Sequence, residues 1–252
     1  MDGVAKRETP VSLGGAAWRW ARDSFRSRGV WESARYLGEQ FWLLARDSMP
    51  DRRRSRFGDI DYDCDYGVDT TWARLPLRVR LREIFTERLY QPTVPDEFTE
   101  IMQHLATVDF TDFTFIDLGS GKGRALLMAA MYPFAEVIGV EVQAELHAIA
   151  EQNIYCMEQD GRQCQNIRSV CMDGRDFQFP DTPLLLYLFN PFPDYVMRIV
   201  LENLQTSLRA HPRPTWFVYN APFEKHVVEE FAYLRPCAET PQYTIYKAEL
   251  DG

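Results

Sequence analysis

Asp117, Gly119, Gly121 and Gly123 alternate with other residues in Phe115-Ile116-Asp117-Leu118-Gly119-Ser120-Gly121-Lys122-Gly123-Arg124. A short apolar strand ending in a carboxylate, a loop with glycine at every second position, and a helix over 124–132 make one unit. Such a unit brings backbone N–H groups and a positive helix end to the strand's C-terminus, where an adenosine-bearing ligand can lie close to the main chain. The spacing discriminates among ligands. A dinucleotide fingerprint would need its third glycine at Arg124, and a phosphate loop would need Ser or Thr after Lys122 and glycine at Ile116. Neither condition is met. A second apolar strand, 137–141, ends in Glu141 about 20 residues past the loop, where a carboxylate accepts hydrogen bonds from ribose hydroxyls in nucleotide-binding α/β folds. The other reading of Glu141 is a cap for the helix that begins near Ala144.

The D-x-G-x-G-x-G spacing at 117–123, with Glu141 in register, resembles motif I of class I S-adenosylmethionine (SAM) methyltransferases. The resemblance spans about residues 90–250 and is closest to bacterial amino- and protein-lysine-methylating members. It implies SAM as cofactor, bound by Asp117, Gly119, Ser120, Gly121, Gly123 and Glu141. It also implies that Asp173 contacts the adenine amino group and that Met172 packs on the ring; a turn-forming aspartate before Gly174 is the alternative. Tyr90-Gln91-Pro92-Thr93 is similar to a Tyr-x-Pro-Thr element placed over SAM, which would give Tyr90 and Thr93 contacts with the methionine end or the incoming nucleophile. Asn190-Pro191-Phe192-Pro193 takes the place of motif IV and makes Asn190 the candidate beside the transferred methyl. Phe192 stands where that motif has a second proline, and Pro193 where it has an aromatic, so stacking of a flipped DNA base is disfavoured.

Methyl transfer is an in-line displacement whose leaving group is a neutral thioether, so alignment matters more than a strong base. Only a cationic amine must first lose a proton. The function expected is therefore transfer of a methyl group to an amine (protein lysine or small molecule) or a hydroxyl. Two rivals are an aminopropyl-transferring enzyme on the same fold and a non-catalytic module that binds SAM or a nucleotide.

The elements that must position these residues can be read in order. Helix 97–106 precedes strand 113–117 and helix 122–132; strand 136–141, helix 144–159 and strand 167–171 follow. Strand 184–189, helix 194–209, strand 215–219, a short helix at 223–231 and strands near 233–236 and 244–249 complete the set. Strands alternating with helices require crossovers and hence a parallel sheet. The fold class expected is α/β: a doubly wound, mostly parallel, seven-stranded Rossmann-like sheet with N-terminal helices, the antiparallel C-terminal edge strand following from the resemblance.

Four segments are expected: a disordered tail at 1–10, an amphipathic Trp/Arg-rich helical extension at 11–57, an acidic loop and lid at 58–96, and the SAM-binding domain at 97–252. The extension should hold helices over Ala16–Ser27 and Trp31–Asp47, parted at Gly29. Their apolar faces either pack on the parent domain or a second subunit, or lie on an anionic membrane as a peripheral contact. Alternating aspartates at 59–69 fail the calcium-loop test, because Tyr66 and Trp72, or Cys64 and Thr70, occupy the required glycine and glutamate places. That stretch is either a solvated acidic loop or an ordered segment that turns Tyr66 and Asp69 toward the substrate. Tyr66-Gly67-Val68-Asp69-Thr70 resembles a segment found ahead of the core in such bacterial proteins, with no role attached to it.

Charge is unevenly divided: residues 1–58 carry 12 Lys/Arg and 7 Asp/Glu, whereas 59–252 carry 16 and 30. An acidic body disfavours nucleic acid as partner. Five cysteines without a C-x-x-C pair, and four scattered histidines, indicate neither zinc nor a disulfide framework, so no metal is expected. The cysteine usage fits a reducing, cytoplasmic setting best; no run reaches the roughly 20 apolar residues of a membrane span, and no secretory signal is read.

Overall fold

The computed structural model describes residues 12–47, 60–71, 77–86, 90–157 and 161–250. The tail expected at 1–10 and the basic run Arg52–Arg56 lie outside them. The chain divides into two compact units: residues 1–65 with 71–91, and Tyr66–Thr70 with 92–252.

The first unit is helical. Helix α1 (Leu13–Ser27) opens on Ser12, whose side chain accepts the Gly15 N–H, and α2 (Val30–Asp47) follows across Gly29 at φ 81°. Glycine suits that place because the chain must turn left-handed just past the helix end. Ala16, Trp20 and Ser24, four residues apart, form the buried stripe of α1. Trp20 stacks on Tyr36 of α2 at 5.9 Å and tilts against Phe85 at 6.0 Å. Phe85 lies on α4 (Leu77–Thr86), which comes after the short α3 (Ile60–Asp65). Helices α3 and α4 replace the loop expected between 58 and 96. The helix α4 buries Val79 and Ile84, with Leu81 and Phe85 half-buried beside them, and leaves Leu77 at its start exposed.

The second unit is built on one sheet. Its strands are β1 (Thr114–Leu118), β2 (Glu136–Glu141), β3 (Ile167–Cys171), β4 (Leu184–Phe189), β5 (Thr215–Asn220), β6 (Leu234–Glu239) and β7 (Tyr243–Ala248). They lie in the order β3-β2-β1-β4-β5-β7-β6. The first five pair in parallel, and β7 runs antiparallel to both β5 and β6. The antiparallel strand thus enters one place in from the edge, and β6 is the edge itself. Burial follows position: β1 is buried throughout, whereas β3 and β6, at the two margins, are largely open. Pro236 sits at a bulge in β6, where an edge strand tolerates a missing N–H.

Helices cover both faces. Helix α8 (Asp194–Ala210) buries Val196, Met197, Val200, Leu201, Leu204 and Leu208 against a core that includes Leu184, Leu186, Leu188, Phe217 and Tyr219. On the opposite face Phe98 of α5 (Pro95–His104) meets Tyr187 edge-on at 5.8 Å, and Phe115 stacks on Tyr187 at 6.0 Å. Helices α6 (Arg124–Ala129), α7 (Ala144–Cys156) and α9 (Lys225–Glu229) complete the layers. Among the described residues no helix is long and apolar enough to cross a membrane.

Candidate active site at the C-terminal ends of the strands

The glycine loop leaves β1 at Asp117 and enters α6 through three left-handed glycines, Gly119 (φ 86°), Gly121 (φ 54°) and Gly123 (φ 84°). L side chains rarely adopt such angles, which accounts for glycine at each. Gly119 has a second constraint. A Cβ there would stand 2.3 Å from Pro191 Cβ, so the loop after β4 presses directly on the loop after β1.

The sequence reading expects the loop's N–H groups to face a ligand. The structure spends them internally. Gly119 and Ser120 both donate to the Val140 carbonyl (2.8 and 3.1 Å), Gly123 donates to the Ser120 carbonyl (2.8 Å), and Gly121 donates to Glu141 Oε2 (2.9 Å). The cause is local: the loop lies against the end of β2, whose carbonyl and carboxylate are the nearest acceptors. What the loop offers a ligand is close approach of a backbone without side chains.

Glu141 is buried, and its Oε1 accepts the Gln143 N–H at 2.7 Å. It therefore faces the glycine loop and also secures the turn into α7. Asp117 is fully buried and accepts no hydrogen bond from the described residues; burial first, and then the nearby Glu141 charge, push its pKa well above the usual carboxylate range. Ser120 is buried with its Oγ likewise unpartnered. An unrelieved carboxyl and an orphaned hydroxyl beside a bare backbone fit a ligand that combines cationic groups with hydroxyls. SAM, with a sulfonium, an α-ammonium and a ribose, is such a molecule.

Met172 and Asp173 follow β3, beside Glu141. The Met172 N–H donates to the Glu141 carbonyl at 3.1 Å, and its side chain packs on the core. Asp173 is committed to its neighbour: its carboxylate accepts Arg175 Nη2 at 2.6 Å and the Arg175 N–H at 2.9 Å, capping a short turn of 3-10 helix, Gly174–Asp176. The hydrogen bonds from the Arg175 side chain hold its pKa below the usual range. That cap is the turn-forming role of the sequence reading, and the carboxylate oxygens keep acceptor capacity with which an adenine amino group could be received.

Asn190 ends β4 at φ 42°, and its Oδ1 accepts the Tyr219 hydroxyl at 3.1 Å; that hydroxyl in turn accepts the Glu224 N–H at 3.1 Å. Burial pushes the Tyr219 pKa up to about 12. Thr93 is buried and bonds Tyr187 Oη at 2.9 Å, to which Asn220 Nδ2 also donates at 2.9 Å. Glu97 lies near Asn220 with Oε1 unpartnered among the described residues, and burial raises its pKa. Tyr90 belongs to the first unit, where its N–H donates to Glu83 Oε2 at 3.2 Å.

Sequence reasoning missed Tyr187, Tyr219, Asn220, Glu97 and Gly139. A Cβ at Gly139 would lie 2.5 Å from Leu126 Cδ1 and 2.7 Å from Ser120 Oγ, so this strand glycine makes room for the loop. A lone glycine within an apolar strand is a signal of close backbone approach. Tyr187, Tyr219 and Asn220 carried no such signal, because they read as ordinary members of buried strands. The reading that turned Asp69 toward a substrate is corrected: its carboxylate faces Lys122 Nζ at 2.8 Å, since a buried ammonium is the stronger claim on it.

Residues 76–164 match the family model described as histone methylation protein DOT1, a SAM-dependent methyltransferase family. No curated protein matches the chain's sequence. Solved structures resemble it at low identity. An RNA methyltransferase from Salinibacter ruber, in complex with S-adenosyl-L-homocysteine (SAH), is 18% identical with TM-score 0.43, covering 64% of this chain and 95% of its own. Magnesium protoporphyrin IX methyltransferase from Synechocystis PCC 6803, with bound SAM, is 13% identical with TM-score 0.46, covering 83% and 95%. A SAM-dependent methyltransferase from Aquifex aeolicus is 14% identical with TM-score 0.44, covering 62% and 98%.

The fold is that of SAM-dependent methyltransferases, and the family model matched over residues 76–164 describes an enzyme of this class. The match over residues 76–164 supports S-adenosylmethionine as its cofactor.

Proposed function

We propose that the methyl group passes to an amine, and that the acceptor is a protein lysine rather than a small molecule. The observation that carries this reading is Asn190: a side-chain amide at the end of β4, held left-handed and bonded to Tyr219, next to the proline that presses on Gly119. An amide carbonyl in that place can accept an N–H of an incoming amine and direct its lone pair. The family description, a histone methylation protein, favours lysine over other amines.

SAM supplies an electrophilic methyl group when bound. Asp117, Gly119, Ser120, Gly121, Gly123 and Glu141 would hold it, with Met172 and Asp173 toward the adenine and Thr93 toward the methionine end. Asn190 would align the amine, and Tyr90 is retained as a second acceptor contact on its Tyr-x-Pro-Thr spacing. A lysine arrives as an ammonium and must lose a proton. Glu97, with its pKa raised by burial, is suited to take it.

A cytoplasmic setting is part of this reading, supported by five cysteines that are all free. So is peripheral contact with an anionic membrane, supported by exposed Trp18 (71%), Trp31 (83%) and Trp42 (60%) on helices rich in arginine.

The test is incubation of the protein with tritiated SAM and cell extract. Label in macromolecular material that protease renders soluble, recovered as methyl-lysine after hydrolysis, is the expected result. Label confined to protease-resistant small molecules would refute the lysine acceptor.

A further inference from the structure

Lys122 is the charged residue within the glycine loop, yet its side chain is fully buried. Its Nζ lies 2.8 Å from Asp69 Oδ1. Asn153, buried on α7, ties the same two residues together through their backbones. Its Oδ1 accepts the Asp69 N–H at 2.8 Å, and its Nδ2 donates to the Asp69 carbonyl at 2.8 Å and to the Lys122 carbonyl at 2.9 Å. One residue along on each side, Arg124 Nε donates to Thr70 Oγ1 at 2.6 Å, both side chains being buried. Val68 is buried as well. All of these belong to the second unit, although the chain on either side of Tyr66–Thr70 belongs to the first.

We propose that Asp69 is a positioning residue for SAM, acting through Lys122 on the glycine loop. Three left-handed glycines in five residues have little side-chain material of their own to hold them, and glycine has the most conformational freedom to lose. The loop is held in front by Glu141 on Gly121. From behind it is held by Asn153 on the Lys122 carbonyl and by Asp69 on the Lys122 ammonium. Removing the carboxylate takes a 2.8 Å ion-pair partner from a fully buried cation, and the loop must readjust around the weakened support. Any such shift moves the Gly121 backbone relative to Glu141. Donor affinity therefore depends on a residue some fifty positions upstream, outside the matched stretch 76–164. The inference rests on the glycine loop being the SAM site.

The test is calorimetric titration with SAH of the full chain and of Asp69→Asn, Lys122→Met and the double variant, with the melting temperature of each ligand-free protein. Asp69→Asn is expected to bind SAH at least tenfold more weakly, about 1.4 kcal/mol. The double variant, which has no buried charge to strand, should recover much of that loss. Leu204→Ala, a core truncation far along α8, serves as the control: it should lower the melting temperature and leave SAH affinity unchanged. If Asp69→Asn does not fold, Asp69→Glu, which keeps the charge but displaces it, is expected to bind SAH more weakly than the parent. Parent-like SAH affinity in a folded Asp69 variant, or strictly additive losses in the double variant, would overturn the proposal. Failure of the parent protein to bind SAH would instead overturn the donor-site reading beneath it.

Discussion

The Gly121 N–H donates to Glu141 Oε2 at 2.9 Å, while the other oxygen of that carboxylate accepts the Gln143 N–H at 2.7 Å. One side chain thus joins the glycine loop after β1 to the turn after β2. Each carboxylate oxygen has two lone pairs, so these bonds leave acceptor capacity for ribose hydroxyls. Shaping the loop and receiving a sugar are compatible roles for Glu141, and the first precedes the second.

Glu141→Gln tests this arrangement. An amide can accept at only one of its two ends, so either Gly121 or Gln143 loses its partner in a buried place. The expected loss of stability is about 1–3 kcal/mol, read from urea midpoints. SAH affinity should fall in the same variant, because the loop and the ribose acceptor are disturbed together.

Two glycines should respond with opposite sign. Gly119→Ala places a Cβ against Pro191 in a left-handed backbone and should cost more than 2 kcal/mol, or prevent folding. Gly38→Ala lies inside α2 with nothing within 4 Å of the new Cβ, and should stabilise the protein by roughly 0.5–1 kcal/mol. Thermal and urea unfolding decide both, and transfer activity should survive only the second.

Asp117 predicts a pH dependence. Its folded-state pKa lies above the ordinary carboxylate value, through burial and the facing Glu141, with the Tyr187 hydroxyl also close by. Between those two pKa values the folded protein holds a proton that the unfolded chain has lost. Its contribution to stability is thus greatest below the ordinary value and declines as pH rises through the folded-state pKa. Asp117→Asn should flatten that decline in urea midpoints taken across pH. A cationic ligand favours the ionised form, so SAM should bind more tightly as pH rises and release a proton. Calorimetry in buffers of different ionisation enthalpy would detect the release, and its absence in the parent protein would refute the idea.

Asn190 and Tyr219 separate backbone from side-chain effects. Asn190→Gly keeps the left-handed conformation and removes the amide, so the fold should persist while methyl transfer falls by about 10²-fold. Tyr219→Phe removes the hydroxyl that holds Asn190 and should give a smaller loss in transfer with SAH affinity intact. Equal transfer by Asn190→Gly and the parent would exclude the amide from the reaction.

Much of the sheet was legible. Strands β2, β3 and β4 fall where alternating helices and apolar runs place them, because Val137–Val140 and Leu184–Phe189 are continuous apolar segments with punctuation at both ends. Helix α4 was less so, since Arg78, Arg80 and Arg82 between its apolar residues masked a helical face. The pairing order with β7 between β5 and β6 is a non-local choice that no window of residues contains.

Taken alone, the amino-acid order determined the strand–glycine loop–helix unit, the carboxylate at 141 and the parallel core, because each follows from local spacing and period. Tertiary packing decided where the charges went. Nothing in the local spacing of Lys122 and Arg124 marks them for burial, yet Tyr66–Thr70 covers them and turns them into internal supports. That outcome depends on a carboxylate and a hydroxyl some fifty residues away being brought to them, since a buried cation is tolerated only where a distant part of the chain supplies its partner.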